Sequence, residues 1–446
     1  MEKPTILLIG TCDTKLPELL YTISQCPDST NILLMDVGRT PTLHPLISIQ
    51  HPDLTTTTTT KENKENEETK NNGEVIRKEE EYKSLPRTTY IQKISNHATT
   101  TTADLYKAGR IHAILSLGGS CGTNIATAAM RQGVPVGFPK LMVSTMASGD
   151  VSSYIEETDI TLMYSVVDVA GGNWILKRVL GNALFGAVGM ALREFTFQKD
   201  RIGRDVEGSV GKNGGDGGDG GKKRVGVTMF GVTTPCVDVI RERLEREYGA
   251  EVYVFHATGA GGKAMERLVR EGQIDAVVDL TTSEVVDELM GGVLSAGPAR
   301  LEAAAKKGIP QVVSVGACEM ANFGPPSTIP PRYEGRVLYE HNPTVTLVRA
   351  NAEESRQIAR FIAEKLRTFA VRPDLIRLVL PTGGISMVDV PGQSFYDPEV
   401  DEVLFSTIEK ELQGSGISIT RDPRHINDPD FATSVADMLG GMITSM

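Results

Sequence analysis

The fold is indicated most directly by residues 113–130, which read AILSLGGSCGTNIATAAM. The apolar run up to Leu117 is typical of a buried strand, and the small residues after it predict a tight loop before a helix. Glycines let a backbone approach a ligand closely, and a helix N-terminus favours negative charge. The stretch therefore predicts an anion-binding turn at the carboxyl edge of a parallel sheet. Its predicted binding residues are Gly118, Gly119, Ser120, Gly122 and Thr123.

The spacing in this loop matches neither of two common nucleotide-binding fingerprints. It lacks the Lys-Ser or Lys-Thr pair of a Walker A loop, and it lacks the G-x-G-x-x-G spacing of dinucleotide-binding folds. Glycine after a strand is also ordinary turn chemistry. By itself the loop leaves a ligand site and a plain tight turn both open.

Two further loops carry polar side chains after predicted strands. Residues 10–15, GTCDTK, follow an apolar run at 5–9, and residues 139–151, PKLMVSTMASGDV, follow a predicted strand at 134–138. Hydroxyl and ammonium groups can bind phosphate oxygens, and a carboxylate can bind a metal ion through a water molecule. Thr14 also fits the alternative role of a helix N-cap. The phosphate candidates are Gly10, Thr11, Thr14, Lys15, Lys140, Ser144 and Thr145, and Asp13 is the metal candidate, through water. Loops that converge at one sheet edge favour a binding site.

Length and patterning predict two domains of the α/β class. A chain of 446 residues exceeds one ordinary core, and short β-branched runs alternate with helical segments in both halves. We expect two Rossmann-like, doubly wound parallel-sheet subdomains, at 1–203 and 224–446. A glycine-rich stretch at 204–223 is interpreted as a flexible linker, and a threonine-rich, charged stretch at about 51–86 as a disordered insertion.

Charge and cysteine content exclude several classes of protein. The net charge is −11 and no basic stripe is visible, so DNA is not an expected partner. The most apolar stretch, 174–195, contains Lys177, Arg178 and Arg193, and is interpreted as a packed helix rather than a membrane span. The five cysteines form no C-x-x-C pair, which argues against a disulfide framework. We expect a cytoplasmic protein that does not bind membranes.

The second half contains its own glycine loop and several groups suited to proton transfer. The stretch 256–266, HATGAGGKAME, again predicts a strand, a glycine loop and a helix, with no assigned role for the loop at 256–263. Two histidines and two acids at predicted strand ends suit general acid/base catalysis or metal binding, although lone histidines are more often structural. These catalytic candidates are His256, Asp279, Glu319 and His341. Glu284, three residues after Thr281, has the spacing of a capping box.

Taken in order, the motifs resemble the uncharacterised protein family that includes the ATP-binding inhibitory domain of a tobamovirus-resistance protein. The matching text includes GTCDTK, LGGSCGT, PKLMVSTMASGDV, VFHATGAGGKAME and HNPTVTLVR. The resemblance implies a two-subdomain α/β protein that binds ATP with Mg²⁺ and forms a homodimer. The chain departs from the pattern at Leu16 and Cys121, where glycine is usual, and at Glu319, where aspartate is usual.

Three functions remain open from the sequence. The first is a nucleotide-binding protein whose N-terminal glycine loops hold the phosphates of ATP. The second is a metabolic enzyme that acts on a small phosphorylated or carboxylated substrate with acid/base residues from the second half. The third is an interaction scaffold, since a small-residue stripe containing Gly181, Gly186 and Gly189 allows another helix to pack closely, inside the fold or in a dimer.

Overall fold

The computed structural model describes residues 2–54, 82–206 and 221–445, without the side chains of 201–206. The chain divides into two compact units, Met1–Ser209 and Val210–Met446. Each unit is built on a parallel sheet covered by helices, so the protein has two α/β subdomains of Rossmann-like type.

The described part of the first unit contains one six-stranded sheet and the helices around it. Its strands are β1 (Thr5–Gly10), β2 (Asn31–Asp36), β3 (Ile47–Ile49), β4 (Ala113–Gly118), β5 (Lys140–Ser144) and β6 (Thr161–Tyr164). Its helices are α1 (Cys12–Ser24), α2 (Arg87–Lys107), α3 (Ser120–Gln132), α4 (Ser152–Ile155) and α5 (Trp174–Val206). The strand order is β3-β2-β1-β4-β5-β6, with every neighbouring pair parallel.

Successive side chains of β1 point to opposite faces of this sheet. Ile6 and Leu8 pack with the residues of α1 and α5, whereas Leu7 and Ile9 pack with those of α2 and α3. The chain runs from β1 outward through β2 to β3, and then returns to place β4 on the other side of β1. The strand order therefore reverses between β1 and β4, which is where open α/β sheets bind ligands.

The described part of the second unit contains a parallel sheet and a small antiparallel sheet. The parallel strands are β7 (Arg224–Met229), β8 (Glu251–His256), β9 (Ala276–Thr281), β10 (Gln311–Gly316), β14 (Ile376–Pro381) and β15 (Ser418–Asp422), in the order β15-β14-β10-β9-β7-β8. The antiparallel strands are β11 (Met320–Phe323), β12 (Leu338–Asn342) and β13 (Val345–Arg349), in the order β11-β13-β12. The helices are α6 (Thr234–Tyr248), α7 (Ala260–Arg270), α8 (Glu284–Met290), α9 (Ala303–Lys307), α10 (Ala352–Phe369), α11 (Pro398–Glu411) and α12 (Pro429–Thr444).

Two strand predictions were wrong. The predicted strand at 134–138 is not a strand, because Pro135 and Pro139 cannot donate to a ladder, and the buried run Lys140–Ser144 forms β5 instead. The run VTLVRA at 345–350 is one of the β-branched runs of the second half that we expected in the parallel sheet, but it forms β13, which pairs antiparallel with both of its neighbours. A β-branched run indicates a strand, but it does not indicate which sheet the strand joins.

The predicted insertion and linker lie largely outside the described residues. Residues 55–81 of the insertion and 207–220 of the linker are not described. The described ends of the stretch 51–86 are packed, since His51 is fully buried and Leu85 belongs to the core. The interpretation of the whole stretch as disordered was therefore wrong at both ends.

Helix α5 presents two different faces. Leu180, Ala187 and Ala191 pack into the core over β1, β4 and β5, whereas the opposite face carries exposed apolar side chains. Within the described chain, Trp174–Asp200 is the one helical segment long and apolar enough to pass a length and composition test for a membrane span.

Candidate functional site

A cleft of about 280 Å³ opens where the strand order of the first sheet reverses. It is lined by the loop after β1, the start of α3 and side chains from two other segments. The lining residues are Thr11, Asp13, Thr14, Lys15, Arg39, Arg87, Tyr90, Gly119, Ser120, Cys121 and Gly122. Seven of the residues predicted from the sequence are therefore brought together at one place: Thr11, Asp13, Thr14, Lys15, Gly119, Ser120 and Gly122.

Two helix N-termini contribute to this cleft. Helix α3 begins at Ser120 and α1 begins at Cys12, and neither is capped by the side chain of its own N-cap residue. The Cys12 amide of α1 nevertheless donates to Asp36 Oδ1 at 3.2 Å, so one amide at the start of α1 is already satisfied. Backbone amides of a first helical turn that lack caps attract anions, and the helix dipole adds to the attraction. The Thr11 hydroxyl hydrogen-bonds the Thr14 hydroxyl at 3.0 Å rather than capping α1.

Three cationic side chains surround the same cleft. Lys15 comes from α1, Arg39 follows β2, and Arg87 begins α2. Arg39 donates to the Leu85 carbonyl at 2.5 Å and lies over the Tyr90 ring, so its guanidinium is held in place. Positive charge from three separate elements, together with two helix N-termini, gives the cleft the electrostatics of an anion site.

Asp13 holds the loop that carries Arg39. Its Oδ2 accepts hydrogen bonds from the Arg39 and Thr40 amides at 2.9 and 3.2 Å and from the Thr40 hydroxyl at 3.3 Å. No group of three His, Cys, Asp or Glu residues in the described chain is arranged to hold a metal ion. The carboxylate therefore has a positioning role that the sequence did not indicate.

The other predicted residues of the first unit lie around the cleft or away from it. Gly10 is required for packing, because a Cβ there would lie 2.5 Å from the Leu19 side chain. Gly118 sits against Gly122, since a Cβ at Gly118 would lie 3.4 Å from the Gly122 Cα atom. Gly10 therefore lets α1 approach β1, whereas the contact at Gly118 is an ordinary van der Waals contact.

The threonine and serine candidates beyond the glycine loop support its backbone. The Thr123 hydroxyl bonds the Gly119 carbonyl at 2.8 Å and the Ser144 hydroxyl at 2.7 Å, and both side chains are buried. Thr145 is next to Gly119, since its Oγ1 would lie 3.7 Å from a Cβ added there. Thr123 and Ser144 thus link α3 to the end of β5.

Lys140 is placed at the opposite edge of the sheet from the cleft. It is the first residue of β5, so it lies at the amino end of the parallel strands. Its Nζ is buried and contacts Asp159 Oδ1 and the Phe138 carbonyl, each at 2.7 Å. The structure separates Lys140 from the other phosphate candidates, because the segment interpreted as a loop is a strand.

Burial disfavours the thiolate form of both cysteines near the cleft. Desolvation raises the pKa of the Cys12 thiol and that of the Cys121 thiol. A thiol must ionise to act as a nucleophile, so neither residue has the properties of a reactive cysteine.

The second glycine loop is filled from inside the protein. The Gly259 and Gly262 amides donate to Glu284 Oε1 at 2.7 and 3.0 Å, at the start of α7. A Cβ on Gly262 would lie 1.9 Å from Glu284 Oε2, so glycine is obligatory there. The predicted capping box of Glu284 with Thr281 is not formed, because Glu284 caps α7 instead of its own helix.

Asp279 is neutralised by a buried arginine. Arg300 is 1% exposed and donates to both oxygens of Asp279, at 2.5 and 2.6 Å, and to Glu284 Oε2 at 2.7 Å. Glu266 Oε1 lies 3.5 Å from the same guanidinium. This ion cluster is structural, since every member is buried and paired.

The catalytic candidates do not gather at one site. His256 ends β8 at the edge of the parallel sheet and stacks on Phe230, whereas His341 is exposed on β12 of the antiparallel sheet. Glu319 lies in the turn between β10 and β11, and Asp279 lies on β9. The four residues therefore do not form the shared acid/base site that the sequence left open.

Glu319 belongs to a different buried cluster. It faces Asp389, Asp401 and Arg349, and Arg349 Nη2 contacts Asp401 Oδ1 at 2.7 Å. Burial raises the pKa of Glu319 to about 7, of Asp389 to about 7 and of Asp401 to about 8, and the Arg349 guanidinium partly offsets this. Three carboxylates share one guanidinium, so the cluster retains protons at neutral pH.

Sequence reasoning missed Arg39, Arg87 and Tyr90. Arg39 carried a usable signal, because DVGRT at 36–40 follows a predicted strand just as GTCDTK does. Arg87 and Tyr90 carried none, since they follow the insertion and are adjacent to no glycine loop.

Comparison with known proteins assigns a family to the chain. The N-terminal domain model of the uncharacterised protein family UPF0261 matches residues 4–196, and its C-terminal domain model matches 222–443. A UPF0261 protein of Clostridium tetani is 45% identical over 76% of this chain and 78% of its own length, and one from Rhizobium meliloti is 38% identical over 96% of each. The ToMV resistance protein Tm-1(GCR237) of Solanum lycopersicum is 43% identical over 73% of this chain, but over only 40% of its own length.

Among solved structures, the UDP-GlcNAc 2-epimerase of Neisseria meningitidis is 9% identical, over 99% of this chain and 100% of that one. Its TM-score of 0.20 is too low to support a common site. The two family models together span nearly all the described residues of both units, so the chain belongs to the uncharacterised protein family UPF0261.

Proposed function

We propose that the first unit binds a magnesium nucleotide, with its phosphates in the cleft between β1 and β4. The observation that carries the proposal is the meeting of the α3 N-terminus, which has no side-chain cap, and the start of α1 with Lys15, Arg39 and Arg87 on one cleft. Amides and cations together recognise the charge and the oxygens of a phosphate chain. ATP is the nucleotide that the family resemblance implies.

The size of the cleft supports a role for it in holding the phosphate end of the ligand. Pockets that enclose a whole drug-sized ligand have volumes of about 300–1,000 Å³, and this cleft is at the small end, about 280 Å³. In the proposed complex the nucleoside lies at the mouth of the cleft. Mg²⁺ enters with the phosphates and keeps several waters, since it is usually held by one or two carboxylates besides the phosphate oxygens. Asp13 is the carboxylate that lines the cleft and that would contact the hydrated ion.

Calorimetric titration of the full chain with ATP and Mg²⁺ tests the proposal. Substitution of Arg87 or Lys15 by glutamine removes one charge-assisted contact, worth about 1.5–3 kcal/mol, and so weakens binding by about 10- to 100-fold. Arg110→Gln is the matched control, because Arg110 is an exposed arginine of the same unit outside the cleft lining. Absence of saturable binding, or equal affinity in all three variants, refutes the placement.

Gly119→Val provides a second test that does not change charge. Gly119 has φ −87° and ψ −162°, which any residue adopts, and a Cβ there meets only Thr145 Oγ1 at 3.7 Å. The fold therefore accepts valine, while its methyl groups occupy space at the start of α3 that the phosphates need. We expect loss of ATP binding with an unchanged melting temperature of the free protein. Retained affinity contradicts the assignment of this loop.

A further inference from the structure

Exposed apolar side chains lie at the carboxyl ends of β5 and β6, on the same sheet edge as the phosphate cleft. Tyr164, the last residue of β6, is 43% exposed, and Val166 just after it is 56% exposed. Met146, in the loop after β5, is 39% exposed. We call these three residues the apolar edge. Ligand sites combine a few polar anchors with apolar and aromatic surface, and this surface lies next to the anchors.

The strand register places the apolar edge close to the glycine loop. Gly118 pairs with Ser144 across β4 and β5, and Ser144 pairs with Tyr164 across β5 and β6. Tyr164 is therefore two strand spacings, about 10 Å, from the residue that precedes Gly119. A ribose with its first phosphate bridges a separation of this size.

Tyr164 points to the face of the sheet that α3 covers. Residues that pair in parallel strands point to the same face, and the Ser144 hydroxyl contacts the Thr123 hydroxyl of α3 at 2.7 Å. The Thr145 amide donates to the Gly118 carbonyl at 3.3 Å, which ties the loop after β5 to the glycine loop. The tyrosine ring thus lies beside the helix whose N-terminus faces the cleft.

The segment 165–173 borders the same edge on the other face. It leads from β6 to α5, and its Gly171 amide donates to Glu18 Oε1 of α1 at 2.9 Å. Because α1 follows β1, the segment runs back along the carboxyl ends of β5 and β4 toward β1. Val166 has a φ of +66°, which is rare for a β-branched residue, and such conformations cluster at functional sites. The ends of β4 and β5 therefore lie between α3 and this segment.

The cations of the cleft give the ligand a direction. Arg39 follows β2, and Arg87 begins α2, whose Tyr90 hydroxyl donates to the Val37 carbonyl after β2 at 2.7 Å. Both guanidinium groups therefore lie on the β2 side of the glycine loop, whereas the apolar edge lies on the β5 side. A phosphate chain that points toward the cations leaves the nucleoside pointing toward the apolar edge.

The reverse direction lacks a free acceptor for the ribose. In dinucleotide-binding folds, an acidic residue that follows the glycine loop accepts a ribose hydroxyl. The acid at the end of β2 is Asp36, which is fully buried. Its carboxylate accepts hydrogen bonds at 3.2, 2.9 and 3.0 Å from the amides of Cys12, Gly38 and Thr42. Asp36 therefore holds the loop after β2 and is already occupied.

We propose that the base of the bound nucleotide stacks on Tyr164 at the apolar edge, with the ribose over the end of β5. This subsite depends on the proposed function, because the phosphates hold the ligand at the glycine loop. It adds the direction of the ligand and the chemistry that binds its uncharged end. An aromatic ring stacks on the π face of any base, so the subsite favours nucleotides over bare polyphosphates.

Calorimetric titrations of the full chain with ATP and with tripolyphosphate, each with Mg²⁺, separate the base from the phosphates. We expect the wild type to bind ATP more tightly than tripolyphosphate. Tyr164→Ala weakens ATP binding about 5- to 100-fold and leaves the affinity for tripolyphosphate unchanged. Arg87→Gln weakens the binding of both ligands alike, because it acts on the phosphates.

Two controls remove apolar side chains elsewhere in the first unit, and neither changes either affinity. Leu43→Ala tests the reverse direction, because Leu43 is 80% exposed and follows Arg39 on the β2 side. Phe197→Ala is the aromatic control, because Phe197 is 36% exposed and lies on α5 toward the amino edge of the sheet. Photolabelling of the wild type with 8-azido-ATP locates the base without any substitution, and we expect the labelled peptides to contain Met146 or Tyr164.

Several results overturn the subsite. They are equal affinity of the wild type for ATP and tripolyphosphate, loss of both ligands in Tyr164→Ala, weakened ATP binding in Leu43→Ala, and labelling confined to residues 39–46. Binding of tripolyphosphate that depends on Arg87, with ATP affinity unchanged in Tyr164→Ala, refutes the base subsite alone and leaves the proposed function intact. Absence of binding by both ligands refutes the phosphate site and the base subsite together.

Discussion

Replacement of Glu319 by glutamine is expected to stabilise the second unit, and to do so only at neutral and alkaline pH. Glu319 is 1% exposed, and burial raises the pKa of its carboxyl from an ordinary value of 4.5 to about 7. A group with a raised pKa in the folded chain binds more protons there than in the unfolded chain. The free energy of unfolding therefore falls as pH rises from 4.5 to about 7, and stays low above that range.

The difference between 4.5 and about 7 sets the size of the effect. Since one pKa unit is worth about 1.4 kcal/mol, full ionisation of Glu319 costs the folded state about 3 kcal/mol. Glutamine has the shape of the protonated acid and carries no charge. The negative charge of Glu319 helps to raise the pKa of Asp389. The substitution removes that charge and therefore also reduces the repulsion on the Asp389 carboxylate. Arg349 keeps its 2.7 Å contact with Asp401 in the variant.

Urea unfolding with pulsed hydrogen exchange is the assay, because peptides from β10 and β13 report the second unit separately from the first. We expect equal stability of wild type and Glu319→Gln at about pH 4, and a gain of about 3 kcal/mol for the variant at about pH 8. Glu399→Gln, at an exposed position on the surface of α11, is the control. Parallel stability profiles across this range, or a variant that is less stable at about pH 8, refute the reasoning.

Three further predictions follow from the ion pairs and packing. Arg300→Ala leaves Asp279 and Glu284 buried without their counterion and destabilises the second unit by about 3–5 kcal/mol, measured by urea unfolding; a loss below about 1 kcal/mol contradicts this. Lys140→Met leaves the affinity for ATP unchanged in calorimetry, because Lys140 lies at the amino edge of the sheet. A weakened affinity would show that Lys140 contributes to the phosphate site. Gly10→Ala lowers the melting temperature of the first unit, since its Cβ meets Leu19, and the overpacking costs about 1–3 kcal/mol.

The sequence predicted the parts of the first site that are local. A buried strand, a glycine loop and a helix follow each other within 113–130, so the start of α3 was found without knowledge of the fold. The third loop was misplaced because the short apolar run at 134–138 contains Pro135 and is followed by Pro139, and the true strand β5 begins only after the second proline. Arg39 and Arg87 are contributed by separate segments, so their presence at the cleft depends on the order of strands in the sheet.

The two glycine loops show why the same local pattern has two outcomes. The loop before α3 and the loop before α7 both follow a parallel strand and both present amides at a helix N-terminus. In the second unit, Glu284 accepts the Gly259 and Gly262 amides, and Arg300 balances its charge. That loop is therefore satisfied by a carboxylate of its own chain.

In the described first unit, no carboxylate reaches the start of α3 in this way, and cationic side chains surround it instead. A carboxylate from the same chain and an external phosphate compete for the same amides, so a loop that holds one excludes the other. The discriminating feature is a long-range one: a glutamate that lies 22 residues after Gly262 and follows β9, the next strand along the chain. Strand, glycine loop and helix thus indicate an anion cradle, and only the fold determines whether its anion comes from inside the protein or from solution.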